Sequence, residues 1–267
     1  MIKKYSYTGS KNASGVAQRI ISEMPVHTVY IELFAGTGIV GRLKKPAAAD
    51  IFVDSDTAAP VFMAIPPAAS PFMTALDGRS ETSLYSAVRP GTTAAVDDAI
   101  SVLKRISKFD CSDVLLYVDP PYLMSVRSHK KKYYRHEFHT EREHIELASL
   151  LMASGAGVMV SGYDSPLYRR LFKGWRRIEI PTIVRSGERR IEIVWMNFPP
   201  PIVLHDSRFV GDNFRERERI KRKRNRWEER LRTMSRLDRI AVVDAIRSLI
   251  AVHGVGRSTQ AGSSRQK

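Results

Sequence analysis

Apolar residues in the first 200 positions fall into short blocks separated by turn formers. Thr28 to Leu33 is a β-branched and aromatic run that ends in a glycine-bearing turn, Phe34-Ala-Gly-Thr-Gly-Ile-Val-Gly41, and Ile51 to Asp54 is a second short strand. Val114 to Val118 shows no alternation, the pattern of a parallel strand covered on both faces. Gly157 to Ser161 and Ile191 to Met196 predict two further strands. Thr140 to Ala153 predicts a helix with Thr140 as its cap and Glu143 three residues on, a capping-box pattern. Val96 to Ile106 predicts another helix. Strands alternating with helices predict an α/β fold with a mainly parallel sheet.

Residues 57–110 break this rhythm. They are rich in Ala, Pro, Thr and Ser, with Pro60, Pro66, Pro67, Pro71 and Pro90, and are expected to form an insertion on the rim of the sheet. Pro199-Pro200-Pro201 cannot continue a central strand and marks a boundary. Beyond it, Asn213 to Ser235 is densely charged, with Glu218 and Arg222 at helical i,i+4 spacing, and Arg239 to Val252 has an amphipathic helical pattern. The expected organisation is a catalytic domain over 1–200 with 57–110 inserted, a basic helical extension over 201–253, and a disordered tail over 254–267.

Charge sharpens this picture. The 267 residues carry 43 Lys+Arg against 28 Asp+Glu, a net +15, which points to a polyanionic partner, nucleic acid before anionic membrane. The excess is uneven, with 17 basic and 8 acidic residues from 206 onward. A single cysteine, Cys111, excludes an internal disulfide and Cys-rich zinc sites. No run approaches the ~20 apolar residues that span a bilayer, and the first residues lack a signal-peptide pattern, so a cytoplasmic location is expected.

Two motifs carry chemistry. Gly36-Thr-Gly38-Ile-Val-Gly41 follows a strand and is succeeded by Asp54 at the end of the next one. Such a turn brings backbone close to a ligand while the acid can bond a ribose, which fits a dinucleotide or S-adenosylmethionine. Asp119-Pro-Pro-Tyr122 directly follows the 114–118 strand. Two prolines stiffen the loop after the acid, so Asp119 and the Pro120 carbonyl offer two acceptors to the two hydrogens of an exocyclic amine, and Tyr122 offers a flat face to an extruded base. Arg127 to Arg135 adds Arg127, Lys130, Lys131, Lys132, Tyr133, Tyr134 and Arg135, basic groups for phosphate interleaved with aromatic faces for bases. Lys221, Arg222, Lys223 and Arg224 form a second basic cluster, read as a grip on the nucleic-acid backbone beside the alternatives of an oligomer helix or a solvated face. His129, His136, His139 and His144 crowd one region, but their spacing matches no metal motif and no metal is expected.

Asp119-Pro-Pro-Tyr122 together with Phe34-Ala-Gly-Thr-Gly38 resembles the Dam-like, phage-type DNA adenine-N6 methyltransferases, in which the cofactor motif precedes DPPY. Tyr7-Thr-Gly-Ser-Lys11, with Ser10 where a second glycine is usual, resembles the family's first motif. Ser161-Gly-Tyr-Asp164 with Leu167, Tyr168 and Trp175, and Arg190 to Asn197, resemble later segments, so the likeness covers about residues 5–198.

The resemblance implies a Rossmann-like S-adenosylmethionine-dependent methyltransferase sheet, mostly parallel with one antiparallel strand. It implies S-adenosylmethionine as cofactor, touched by Tyr7, Lys11, Glu32, Phe34, Ala35, Gly36, Gly38 and Asp54. It also implies a catalytic loop of Asp119, Pro120, Pro121 and Tyr122 acting on a flipped adenine of double-stranded DNA, in a nucleoid-associated protein of bacterial or phage origin. Only 62 residues separate Asp56 from Asp119, where the family places target recognition, which is short for an elaborate reading domain. The residues leave open an RNA adenine methyltransferase and a non-catalytic nucleic-acid binder on the same scaffold. A dinucleotide-dependent oxidoreductase would leave DPPY and the basic tail unexplained.

Overall fold

The apolar blocks form one twisted sheet. In the computed structural model, which describes residues 11, 15–67, 84, 88, 90–123, 138, 140–183 and 187–255, the strands are β1 (Val29–Leu33), β2 (Ala49–Asp54), β3 (Gly91–Val96), β4 (Val114–Val118), β5 (Gly157–Gly162), β6 (Arg176–Ile183) and β7 (Arg189–Met196). Their order across the sheet is β3-β2-β1-β4-β5-β7-β6. β1 to β5 run parallel, and β7 is antiparallel to both of its neighbours, β5 and β6. This is the Rossmann-like α/β sheet with one antiparallel strand that the sequence led us to expect.

Every residue of β1, β2 and β4 is buried, because both faces of the sheet are covered. Tyr30, Phe52, Leu115, Tyr117, Met159, Val194 and Met196 pack on one face against α1 (Val16–Ile21), α2 (Ile39–Leu43) and α3 (Val61–Ala64). Val29, Ile31, Leu33, Ile51, Leu116, Val158 and Trp195 pack on the other against α4 (Ala99–Ile106), α5 (Glu141–Ala153) and α6 (Pro166–Leu171). The Thr140 capping box forms: Thr140 Oγ1 accepts from the Glu143 N–H, and Glu143 Oε2 accepts from the Thr140 N–H at 2.7 Å.

Three expectations are corrected. The 57–110 segment is not wholly an insertion, since Gly91–Val96 is the edge strand paired with β2, and Ala99–Ile106 packs in the core. The helix begins at Ala99 rather than Val96, because Val96 pairs with Asp54 and the Asp98 side chain caps the helix by accepting from Ser101 N–H at 2.9 Å. β6 was not foreseen. It carries Arg176, Arg177, Glu179 and Pro181 with alternating exposure, a composition that an edge strand tolerates because one of its sides needs no ladder partner.

After the three prolines the chain returns to the body. Pro25 bridges Leu204, His205 N–H donates to the Met24 carbonyl, and the buried Asp206 carboxylate accepts from Lys45 N–H at 2.8 Å. It then leaves as α7 (Phe214–Thr233), capped by the Asn213 side chain and without a buried residue, followed by α8 (Arg236–Val255), longer than the 239–252 expected. In α7 the ion pair of Glu218 is with Lys221, at 4.0 Å, while Arg224 pairs with Glu228 at 3.2 Å. No helix among the described residues is long and apolar enough to cross a membrane.

Candidate active site

The chain runs outward from β1 through β2 to β3, then restarts at β4 on the other side of β1. The carboxyl ends of β1 and β4 therefore meet at the point where the strand order reverses, the usual ligand crevice of such sheets. Leu33 pairs with Val118, and Asp119 N–H donates to the Leu33 carbonyl at 3.4 Å. The glycine turn and the Asp119–Tyr122 loop thus leave neighbouring strands side by side.

The turn is built by unusual backbone. Phe34, Gly36 and Gly38 all have left-handed φ, at 57°, 51° and 62°. For Phe34, whose ring packs edge-on to Phe138 with centroids 5.3 Å apart, this conformation costs of order 1–3 kcal/mol and is characteristic of ligand loops. Asp54 braces the turn: Oδ2 accepts from Gly36 N–H at 2.7 Å and Oδ1 from Asp56 N–H at 2.9 Å. Ala35 N–H donates to the Val53 carbonyl, and Val61 N–H to the Gly36 carbonyl. A Cβ on Gly38 would lie 2.8 Å from Val61, and one on Gly41 would lie 2.6 Å from Phe52 and Tyr30. Gly41 thus lets α2 approach the sheet closely. Glu32 lies beneath it, with Oε2 accepting from Gly41 N–H at 2.8 Å and from the Tyr30 hydroxyl at 2.9 Å. Burial pushes the Glu32 carboxyl up to about 8, against the pull of those two donors.

Side chains alternate along strands, so Glu32, Asp54, Asp119, Ser161 and Glu192 share the face that carries Tyr30, Phe52, Tyr117, Met159 and Val194. Their polar groups gather at one edge of the sheet. Asp119 Oδ1 accepts from the Lys11 ammonium at 2.8 Å and from the Ser161 hydroxyl at 2.9 Å, and the Ser161 and Tyr117 hydroxyls are 3.0 Å apart. Asp119 Oδ2 has no hydrogen-bond partner among the described residues. Lys11 also donates to the Tyr122 hydroxyl at 2.7 Å and pairs with Glu192 at 2.9 Å, and that hydroxyl donates to Glu192 at 3.1 Å. Burial disfavours the Lys11 ammonium, but Asp119 and Glu192 together outweigh it and hold its pKa well above the ordinary lysine value. The Tyr122 ring lies on Tyr163 with centroids 4.3 Å apart, and the Arg190 guanidinium sits 5.2 Å from the Tyr163 centroid.

The structure brings together Lys11, Phe34, Ala35, Gly36, Gly38, Asp54, Asp119, Pro120, Pro121 and Tyr122 at this edge, with Glu32 set under the turn. Lys11 contacts the Asp119–Tyr122 loop through Asp119 and Tyr122. Tyr7 and the basic loop with Arg127, Lys130, Lys131, Lys132, Tyr133, Tyr134 and Arg135 lie outside the described residues, as do His129, His136, His139 and the tail from 256. His144 is buried, its Nδ1 2.8 Å from the Tyr168 hydroxyl. Lys221, Arg222 and Lys223 are exposed on α7 and Arg224 is half-buried, and the ion pairs of Lys221 and Arg224 are with Glu218 and Glu228 of the same helix. Ser161, Tyr163 and Glu192 were not singled out as site residues from the sequence. Glu192 did carry a signal, a carboxylate within the apolar run Ile191 to Met196, where burial without a partner is costly.

No protein-family profile matches the chain, and no curated protein matches it. Among solved structures it is similar to a SAM-dependent methyltransferase from Agrobacterium tumefaciens (12% identity over 67% of this chain and 58% of that one, TM-score 0.35). It is also similar to an rRNA methylase from Streptococcus thermophilus (8% identity, 67% and 92%, TM-score 0.38) and to spermidine synthase from Thermotoga maritima (12% identity, 72% and 60%, TM-score 0.41). At these identities no activity or substrate carries over.

Proposed function

We propose that this protein is an S-adenosylmethionine-dependent methyltransferase acting on N6 of adenine in DNA. The observation that carries the reading is the pairing of Leu33 with Val118, which sets the glycine turn beside an Asp119 carboxylate held by Oδ1 and, among the described residues, without a hydrogen-bond partner at Oδ2. The turn fits the cofactor: left-handed residues bend its backbone sharply at the end of β1, its helix is drawn close by Gly41, and Asp54 stands at the end of the second strand with a carboxylate of the kind that accepts from ribose hydroxyls. Phe34, Ala35, Gly36, Gly38 and Asp54 would hold it. When bound, S-adenosylmethionine supplies an electrophilic methyl group on a sulfonium.

The chain's own residues do the positioning. An adenine amine is a poor nucleophile, so transfer depends on holding its nitrogen in line. Asp119 Oδ2 and the Pro120 carbonyl accept the two amino hydrogens, orienting the nitrogen lone pair toward the turn. The packed rings of Tyr122 and Tyr163, tilted by 30°, provide a platform for a base rotated out of the helix. The resemblance of DPPY and FAGTG to the Dam-like family favours DNA and adenine. The Lys221–Arg224 segment of α7 supplies phosphate contacts that set affinity and salt dependence rather than sequence choice.

The test is methyl transfer from labelled S-adenosylmethionine to unmethylated duplex DNA and to structured RNA, with nucleosides identified after digestion. N6-methyldeoxyadenosine from DNA is the expected product; label appearing only in RNA moves the substrate, and label in neither overturns the reading. Mapping methylated adenines in a host expressing the protein then gives the recognition sequence.

A further inference from the structure

Glu192 is a buried carboxylate in a strand whose other fully buried side chains on that face, Val194 and Met196, are apolar. A buried carboxylate costs several kcal/mol of desolvation unless its partners compensate, and a leucine or methionine would serve the packing of β7 equally well. The hydrogen-bond and ion-pair partners of Glu192 among the described residues are Lys11 and Tyr122. Both of these residues frame Asp119: Lys11 by its ion pair, Tyr122 from three residues along the same loop. β7 runs antiparallel to β5, with Gly162 paired to Ile193, so Glu192 enters the site from the strand opposite Ser161 and Tyr163.

From this arrangement we infer that Glu192 is a positioning residue that holds Lys11 and Tyr122 apart from Asp119 Oδ2, leaving that oxygen for the substrate amine. The inference rests on the methyltransferase reading above. One ammonium between two carboxylates is shared: Nζ lies 2.8 Å from Asp119 Oδ1 and 2.9 Å from Glu192 Oε1. Without the pull of Glu192, the three ammonium protons have one carboxylate to satisfy, and bonding to both oxygens of Asp119 becomes the best remaining arrangement. Lys11 then competes with the amine for Oδ2. The Tyr122 hydroxyl loses a charged acceptor in the same step, and the loop carrying Asp119 and Pro120 loses that tether to the sheet.

The experiment compares wild type, Glu192→Gln, Glu192→Asp, Lys11→Met and Lys11→Met/Glu192→Gln in steady-state methyl transfer, cofactor titration, pH–rate profile and thermal melting. The expected result for Glu192→Gln is a roughly 10- to 100-fold loss in kcat with KM for DNA and cofactor affinity within about twofold of wild type, the scale of losing one charge-assisted contact. Glu192→Asp, which keeps the charge, recovers part of the rate, and the pH–rate profile of Glu192→Gln shifts where that of a merely loosened protein would not. The double variant is no slower than Lys11→Met, because both changes act through the same ammonium. Unchanged kcat in a folded Glu192→Gln, losses that multiply in the double variant, or a loss that follows melting temperature alone overturns this inference while leaving methyl transfer by the wild type standing. A wild type that transfers no methyl group overturns the functional reading and this inference with it.

Discussion

The Ser161 hydroxyl donates to Asp119 Oδ1 at 2.9 Å and is itself 3.0 Å from the Tyr117 hydroxyl, so the carboxylate is fixed from the sheet by residues on two adjacent parallel strands. A carboxylate held at one oxygen presents the other in a defined direction, and that is what an amine awaiting transfer needs. Ser161→Ala removes one of the two donors on Oδ1 and leaves Lys11. Hydrogen bonds to charged groups contribute about 1.5–3 kcal/mol, so kcat should fall roughly 10- to 100-fold with little change in cofactor affinity. Steady-state kinetics beside a cofactor titration check this, and an unaltered kcat would mean that Lys11 alone orients the carboxylate.

Asp119→Ala should reduce methyl transfer to background while S-adenosylmethionine binding persists, since the turn that would hold the cofactor is braced by Asp54 and Glu32 rather than by Asp119. Calorimetric titration of the variant separates the two effects. Retained turnover sinks the proposed mechanism.

Gly41→Ala tests the packing beneath the turn. Its new Cβ would sit 2.6 Å from the Phe52 and Tyr30 rings and 2.7 Å from Glu32 Oε2, none of which is a loose surface group. Overpacking of this kind costs about 1–3 kcal/mol, and the melting temperature should drop by several degrees. Cofactor binding should weaken with it, because the displaced helix carries the end of the turn.

Glu32 makes stability depend on pH in the alkaline direction. Its folded-state pKa of about 8 lies above the ordinary carboxylate value of 4.5, so between these the native protein keeps a proton that the unfolded chain releases. Its contribution is complete below about 4.5 and is lost as pH rises through about 8, at up to about 1.4 kcal/mol per pH unit. Glu32→Gln keeps an acceptor for Gly41 and Tyr30 without the titration. Thermal melts from pH 5 to 8.5 should show a shallower decline for this variant, and identical slopes would contradict the assignment.

The basic helix should act on affinity alone. Replacing Lys221, Arg222, Lys223 and Arg224 by alanine leaves the core untouched, because α7 buries no residue. Melting should be unchanged, while DNA binding weakens similarly for all sequences and the slope of log K against log salt falls by up to about 3.6, at about 0.9 per phosphate contact. Binding titrations across salt concentrations measure both effects.

Much of the fold was legible in the chain itself. The β-branched and aromatic run of β1, the unbroken apolar run of β4, the glycine turn after Leu33 and the prolines after Asp119 are local facts, and they determine strands, turn and loop through burial and backbone restriction. β6 was not legible because an edge strand needs no apolar pattern, and Gly91–Val96 was hidden in a proline-rich stretch whose pairing with β2 is a long-range event. The same limit governs the site. Local sequence supplies Asp119 and Tyr122 but not the direction in which a neighbouring strand runs. Only the antiparallel entry of β7 brings the start of that strand, and Glu192 with it, to the edge where the parallel strands end. Lys11 meets Asp119 across 108 positions and Ser161 meets it across 42, contacts fixed by which faces the sheet buries rather than by any residue's neighbours in the chain.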